Sequence, residues 1–330
     1  MVGLDLESKR ILVTGSAGFI GSHVLAELVQ LGYQCLGLDN YNDYYAPNLK
    51  QERIKKFLLS EILKSVDLSD FDQTVMAFED FAPEVVIHLA AQPGVRYSRI
   101  NPNSYLQNNV IAFENVIAAS KAINVSRVIY ASSSSVYGPT DKATFVEGNR
   151  GGAVKNLYAL TKRFNEDRIS LEEGIESVGL RFFSVYGPWG RPDMAYFRMI
   201  GSALGLWRFD RLGSGEQLRD YTYISDVVDL VVSMVSLTQV PRVLNVGGGQ
   251  PFSLNQMQVF VEEYFGRPST INSLSRDESE AMETRADTKL IESLGLPVPK
   301  VDFTKGIVQV CNWAKSIPTE KYSQWILSSK

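Results

Sequence analysis

Tyr158 and Lys162 in "LYALTKR" stand four residues apart on a predicted helix, so their side chains share one face. A phenol beside an ammonium can serve as a base. Free tyrosine titrates near pH 10, and acting near neutrality asks for a lowering of about three pKa units, roughly 4 kcal/mol in favour of the phenolate. A neighbouring cation acts in that direction. The alternative is an unrelated pair on a helix surface. "ASSSSVYG", Ala131 to Gly138, puts four hydroxyls at the end of an apolar run. Such a stretch is either a solvated loop or the rim of a site.

"VTGSAGFIGSH" sets Gly15, Gly18 and Gly21 between a strand and a helix. Glycines there permit a tight turn and close approach to a pyrophosphate, which sits on the free N–H groups and positive dipole end of the helix. The spacing is GxxGxxG, and the flanking strand and helix strengthen it. The next strand ends in Asp39, whose carboxylate can accept hydrogen bonds from ribose hydroxyls and would repel a 2'-phosphate. NAD is therefore the expected cofactor. The alternative for Asp39 is a strand-end turn with Asn40.

These residues need a scaffold, and the first half of the chain supplies one. "RILVTG", "QCLGLD", "LKSVDL", "VVIHLAA", "RVIYASS" and "SVGLRFF" read as short apolar strands. Helical patterns fall between them, around 19–31, 70–81, 104–123 and 158–173. Alternation of this kind predicts an α/β fold, a Rossmann-type doubly wound parallel sheet covered on both faces. After about Tyr186 the alternation breaks into Gly- and Pro-containing segments, so a smaller mixed α/β carboxyl-terminal lobe is expected. The division is 1–185 for the NAD-binding domain and 186–330 mainly for the other lobe, with about 220–250 returning to the first. The polar tail after about Lys315 reads as loosely held.

Composition narrows the function. The 330 residues are 45% hydrophobic and 21% charged with net charge −4, which gives no reason to expect nucleic acid or an anionic membrane as partner. An anionic ligand must then meet a local basic cluster. Cys35 and Cys311 lie far apart without metal-ligand spacing, so no metal is expected and both read as buried thiols in a reducing compartment. His23 and His88 sit inside apolar segments, leaving a Ser/His/Asp triad little material. The amino-terminal "MVGLDLESKR" lacks a long apolar core and no run reaches a membrane span, so a cytosolic location is expected.

Taken in order, Gly15, Gly18, Gly21, Asp39, "HLAA", Asn109 in "YLQNNV", "SSSSVYG", Tyr158, Lys162 and "RDYTYISDV" make the chain resemble the extended short-chain dehydrogenase/reductase superfamily, and within it the nucleotide-sugar epimerases. "NDYYAPNLKQER" from Asn42, "AAQPGVRYS" from Ala90 and "RFFSVYGPWGRPDMAYF" from Arg181 are similar to the UDP-glucuronate 4-epimerases in particular. The resemblance implies a cofactor site made of Gly15, Gly18, Phe19, Ile20, Gly21, Asp39, Asn40, Asp67, Leu68, Leu89, Ala90, Ala91, Asn109, Tyr158 and Lys162. It implies that Tyr158 takes a proton from a sugar hydroxyl while hydride passes to NAD, with Lys162 and Ser133 assisting. Ser133 would bridge Tyr158 and sugar O4, Ser134 and Ser135 would serve the C6 group, and Ser132 is structural.

The resemblance further places Ser184 and Arg191 at a sugar carboxylate, Arg219 at the UDP diphosphate, and Arg96 and Thr284 at the substrate. Alternatives stay open: Arg191 paired with Asp193, and Arg219 paired with Asp220 or Asp226. Dehydratases of the superfamily carry an acidic set, and the decarboxylases a glutamate, where this chain has Ser133, Ser134 and Ser135, which favours epimerisation. UDP-glucose and UDP-N-acetylglucosamine remain alternative substrates, and a non-catalytic NAD-binding protein an alternative class. The chain departs from the family at Asn156-Leu157 and at Ser279-Glu280, where a Gly-Asp is usual. A homodimer through two helices per subunit, one bearing Tyr158, is implied.

Overall fold

The computed structural model describes residues 9–138, 144–275 and 281–330, so Ser279 and Glu280 lie outside the described residues. Its strands are β1 Arg10–Thr14, β2 Gln34–Asp39, β3 Leu63–Ser65, β4 Val85–His88, β5 Arg127–Ser133, β6 Glu176–Phe182, β7 Ser184–Tyr186, β8 Phe209–Leu212, β9 Leu218–Tyr223, β10 Val243–Val246, β11 Pro251–Ser253 and β12 Ile271–Leu274. Seven of them form a parallel sheet in the order β10-β6-β5-β4-β1-β2-β3. The period-2 alternation of β1 explains the two covering layers. Ile11 and Val13 enter one apolar cluster with Val24, Leu25 and Leu28 of the Phe19–Gln30 helix. Leu12 enters the other with Phe78 of the Phe71–Phe81 helix and Phe113, Val116 and Ile117 of the Ala112–Ala122 helix.

Local signals set the helix ends. Asp70 accepts a hydrogen bond from the Gln73 N–H at the start of Phe71–Phe81, which closes at left-handed Ala82. Asn156 accepts from the Ala159 N–H at 2.8 Å and so is the N-cap holding the turn that carries Tyr158.

Three expectations need correction. The predicted helix over 104–123 is interrupted: Pro102–Tyr105 runs into a π-helical stretch, Leu106–Ile111, before Ala112–Ala122. The predicted helix over 158–173 spans Leu157–Ile169. The tail after Lys315 is firmly held. Thr319–Leu327 is helical and buries Tyr322, Trp325 and Ile326, and the Lys330 N–H donates to the Tyr44 carbonyl at 3.0 Å.

After β6 the chain builds a second region from a three-stranded sheet, β11-β9-β7, and the pair β12-β8. The "RVLNVGG" strand, β10, pairs in parallel with β6 at the edge of the main sheet. No helix among the described residues is long and apolar enough to cross a membrane.

Candidate active site

The carboxyl ends of β1, β2, β4, β5 and β6 open onto a cavity of about 390 Å³ whose wall carries Gly15, Asp39, Leu89, Ser133 and Ser184. At one end is the glycine turn. Gly15 has φ +68°, and a Cβ there would stand 2.7 Å from the Ala90 nitrogen; a Cβ at Gly21 would overlap the Gly15 carbonyl oxygen. The Phe19–Gln30 helix starts from Gly18 with no side-chain cap and no acidic residue in its first turn. No side chain therefore competes for its first N–H groups, which are open to an anion. Phe19, Ile20, Asn40, Leu68, Ala90 and Ala91 line the same cavity.

Asp39 is buried and takes hydrogen bonds from the Ala17 N–H at 3.1 Å and the Tyr41 N–H at 2.8 Å, with Lys50 Nζ at 3.5 Å. The Tyr41 bond closes a turn over Asn40, so Asp39 does make the strand-end turn while it lines the cavity, and Asn40 in turn accepts from the Asn42 N–H at 3.1 Å. Asp67 is not on the cavity wall. It caps Ser69 through the backbone N–H and hydroxyl, and lies 3.5 Å from Asn40 Nδ2, supporting a residue that does line the cavity.

At the other end β5 delivers its serines. Ser132 borders the cavity but spends its hydroxyl on Glu166 Oε1 at 2.6 Å, and Glu166 holds Arg181 through both carboxylate oxygens at 2.9 and 2.8 Å. That buried pair satisfies its charges internally and anchors the strand end beneath the site. Ser133, Ser134 and Ser135 line the cavity with Tyr158 and Lys162. The Ser133 hydroxyl accepts from the Ser135 N–H at 3.1 Å, which turns the chain into the Ser134–Tyr137 3-10 turn.

Lys162 is 2% exposed and donates to the Ala131 carbonyl at 2.8 Å. Burial lowers its amine to about 7. Burial also raises the Tyr158 phenol, against the pull of Ser133 and of the Arg191 charge. The expected lowering of Tyr158 is thus not produced by the protein alone, because the helix that brings Lys162 close also takes both groups out of water. His88 is held neutral, lowered to about 3 by burial and then by Lys162, and its Nδ1 lies 2.8 Å from the Thr14 hydroxyl. His23, lowered to about 4 chiefly by burial, bonds the Phe19 carbonyl within its own helix.

Residues 11–247 match the NAD dependent epimerase/dehydratase family. The chain belongs to that family. It is 36% identical to a probable UDP-glucuronate 4-epimerase of Rhizobium meliloti, over 92% of this chain and 96% of that one. Its structure is similar to that of the UDP-glucuronic acid 4-epimerase of Bacillus cereus in complex with UDP-glucuronic acid and NAD, with TM-score 0.85 and 31% identity over 93% of this chain and 99% of that one. It is also similar to the UDP-glucose 4-epimerase of Thermotoga maritima with UDP-glucose, with TM-score 0.83 and 26% identity over 93% and 98%. NAD is the cofactor of the NAD dependent epimerase/dehydratase family, and the glycine cradle, uncapped helix start and strand-end Asp39 fit it.

The epimerase/dehydratase fold continues the cleft outward into a second cavity of about 590 Å³, sharing Tyr44, Ser134, Ser135, Ser184 and Arg191 with the first. Arg96, Arg219 and Thr284 line this outer part, with Lys155 and Arg198. The cationic walls supply the basic cluster that a net acidic chain needs for an anionic ligand. Asp220 and Asp226 spend their carboxylates on backbone N–H groups: Asp220 on Gly248, Gly249 and Ala286, Asp226 on Lys300 and Val301. Arg191 does pair with Asp193, Nε to Oδ1 at 3.0 Å and Nη2 to Oδ2 at 2.7 Å, and still lines both cavities.

Asn109 is not on the cavity wall. The π-helical stretch turns Asn108 there instead, and buried Asn109 bonds the Gln92 N–H and carbonyl and the Thr161 hydroxyl. It joins the "HLAA" loop to the helix of Tyr158. Two residues went unrecognised in the sequence. Lys50 lies against Asp39 and Asn42 on the cofactor wall. Arg53, fully buried, bonds the Ala17 carbonyl of the glycine turn and the Trp189 and Gly190 carbonyls just before Arg191. It ties the two halves of the cleft together. Both lie in "NDYYAPNLKQER", so the stretch itself was the available signal.

Proposed function

We propose that this protein interconverts UDP-glucuronate and UDP-galacturonate by epimerisation at C4 through a transient 4-keto sugar. The observation that carries the reading is one cleft wall bearing Tyr158, Lys162 and Ser133, then Ser134, Ser135 and Ser184, then Arg191. The UDP-glucuronate 4-epimerases among its relatives support it.

Tyr158 accepts the O4 proton, which passes along the hydrogen bond that Ser133 makes to O4, and returns it when the ketone is reduced. Lys162 fixes the strand end through the Ala131 carbonyl and stabilises the phenolate when protonated. NAD, held by the Gly15–Gly21 turn and Asp39, would when bound supply the hydride acceptor and donor for C4. Arg191 and the hydroxyls of Ser134, Ser135 and Ser184 hold the C6 carboxylate by charge-assisted hydrogen bonds. Arg219 binds the diphosphate, and Arg96 and Thr284 border the outer part of the substrate. Glu166 and Asp193 are spent on Arg181 and Arg191, so among the described residues neither carboxylate is free to serve elimination.

The same reading takes the protein as a homodimer. Leu106, Ile111, Leu160 and Phe164 are exposed on the two helical segments next to Tyr158, and a second copy would cover them. Solution scattering that gives the mass of one chain would refute the dimer.

The activity test is incubation with UDP-glucuronate, UDP-glucose and UDP-N-acetylglucosamine, with and without added NAD, and product analysis by NMR. UDP-galacturonate from UDP-glucuronate is expected. Conversion confined to a neutral sugar would overturn the substrate assignment, and no conversion of any would overturn the epimerase reading.

A further inference from the structure

We infer that Asp193 and Tyr44 are positioning residues that set selectivity for a uronate, by fixing which edge of Arg191 faces the substrate. The inference rests on Arg191 as the carboxylate ligand. A guanidinium has two edges able to grip a carboxylate with paired hydrogen bonds, Nε with one Nη and the two Nη together. In this protein Asp193 occupies the first, at 3.0 and 2.7 Å. Nη1 makes no hydrogen bond among the described residues, and Arg191 lines both parts of the cleft. The edge left for a ligand is the terminal one.

Asp193 is itself held. The Tyr44 hydroxyl donates to its Oδ2 at 3.1 Å, the oxygen that also receives Arg191 Nη2. The side chains of the pair are 24% and 12% exposed, so little water competes for the geometry. Tyr44 is buried, and the Lys330 N–H donates to its carbonyl from outside. Loose, Arg191 could swing between sugar, solvent and neighbouring tyrosines. Clasped by Asp193, it presents one edge at one angle, and the ordering cost is met before substrate arrives. Asp193 also cancels much of the guanidinium charge. Recognition of the carboxylate then depends on hydrogen-bond geometry more than on bulk positive potential, which disfavours other anions that lack a planar fork.

The test uses NAD-loaded protein and isothermal titration with UDP-glucuronate, UDP-glucose and UDP. Asp193→Asn keeps the shape and replaces one acceptor by a donor that opposes Arg191. A loss of tenfold or more in UDP-glucuronate affinity is expected, with UDP-glucose and UDP moving less than about twofold. Tyr44→Phe deletes only the hydroxyl and should cost UDP-glucuronate a smaller, several-fold loss with the same selectivity. Equal losses for all three ligands would mean a purely structural role and overturn the inference. A gain in UDP-glucuronate affinity for Asp193→Asn would mean that Asp193 only repels the substrate, and would overturn it too, as would no change in either variant. Failure of the unaltered protein to bind UDP-glucuronate better than UDP would overturn the substrate assignment together with this inference. Binding by the unaltered protein with unaltered variants overturns this inference alone.

Discussion

Lys162→Met tests the electrostatics of the site without reference to turnover. Burial lowers the Lys162 amine to about 7 from 10.5, so the folded protein releases a proton that the unfolded chain keeps. A lysine lowered on folding costs stability in full below its folded value, and that cost fades as the pH rises towards its unfolded value. At about 1.4 kcal/mol per pKa unit the cost is about 5 kcal/mol well below pH 7, about 4 at pH 7 and about 2 at pH 9. Protein freed of dinucleotide should therefore gain about 2 kcal/mol between pH 7 and pH 9 relative to Lys162→Met, which packs a similar chain and does not titrate. Urea unfolding followed by far-UV circular dichroism at pH 7, 8 and 9 measures it. The Ala131 carbonyl loses its partner in the variant, but that penalty does not change with pH. Cys35 and Cys311, raised to about 12 by burial, oppose the trend near pH 9 equally in both proteins and cancel in the difference. Parallel stability curves would show that Lys162 keeps its charge in the fold, and would refute the reasoning.

On the proposed reading, in which the Ser133 hydroxyl serves proton transfer, Ser133→Ala should lower kcat by about 10²-fold or more with KM changed little; steady-state kinetics on UDP-glucuronate decide this. Arg191→Ala should raise KM for UDP-glucuronate and release a UDP-pentose, because a carboxylate no longer held near the ring plane can leave the 4-keto intermediate as carbon dioxide; NMR of the product mixture shows whether it does. Gly21→Ala forces a Cβ into the Gly15 carbonyl oxygen and should abolish dinucleotide retention, read from the absorbance and mass spectrum of the purified protein. Trp325→Ala empties a fully buried site against Trp189, Trp313 and Tyr322 and should cost about 3–5 kcal/mol in the same urea assay.

The sheet was readable because its strands are buried on both faces and therefore apolar along their length. The Gly15-Gly18-Gly21 turn, the Ser133 strand end and the Tyr158 helix follow from that frame. What escaped lies where burial and apolarity part company. The Pro47–Lys56 helix, "PNLKQERIKK", turns Lys50 and Arg53 inward beside Leu49 and Ile54, so its inner face is half charged and no apolar period announces it. Thr319–Leu327 has a proper apolar spacing in Tyr322, Trp325 and Ile326, hidden by polar neighbours in a short segment. Asn109 escaped for another reason. An i to i+5 turn shifts the phase of the helix, and a 3.6-residue period cannot say which of two adjacent asparagines will face the ligand.

The place of β10 bears on how the two regions can be separated. Its residues Val243 to Val246 cover the edge of β6 from Gly179 to Phe182, and they arrive only after β7, β8 and β9 have been made. Asn245 on that strand bonds back to Tyr137 and to the Phe145 carbonyl, just beyond the serine turn. A chain released at residue 185 would carry an open parallel edge and an unbraced serine turn, and an open edge invites pairing with other chains. The nucleotide-binding half is thus finished by sequence that belongs, in chain order, to the other half. A partial fragment of this fold should accumulate as aggregate, and gene fusions or truncations must keep residues through β10 to keep β6 covered and the serine turn braced.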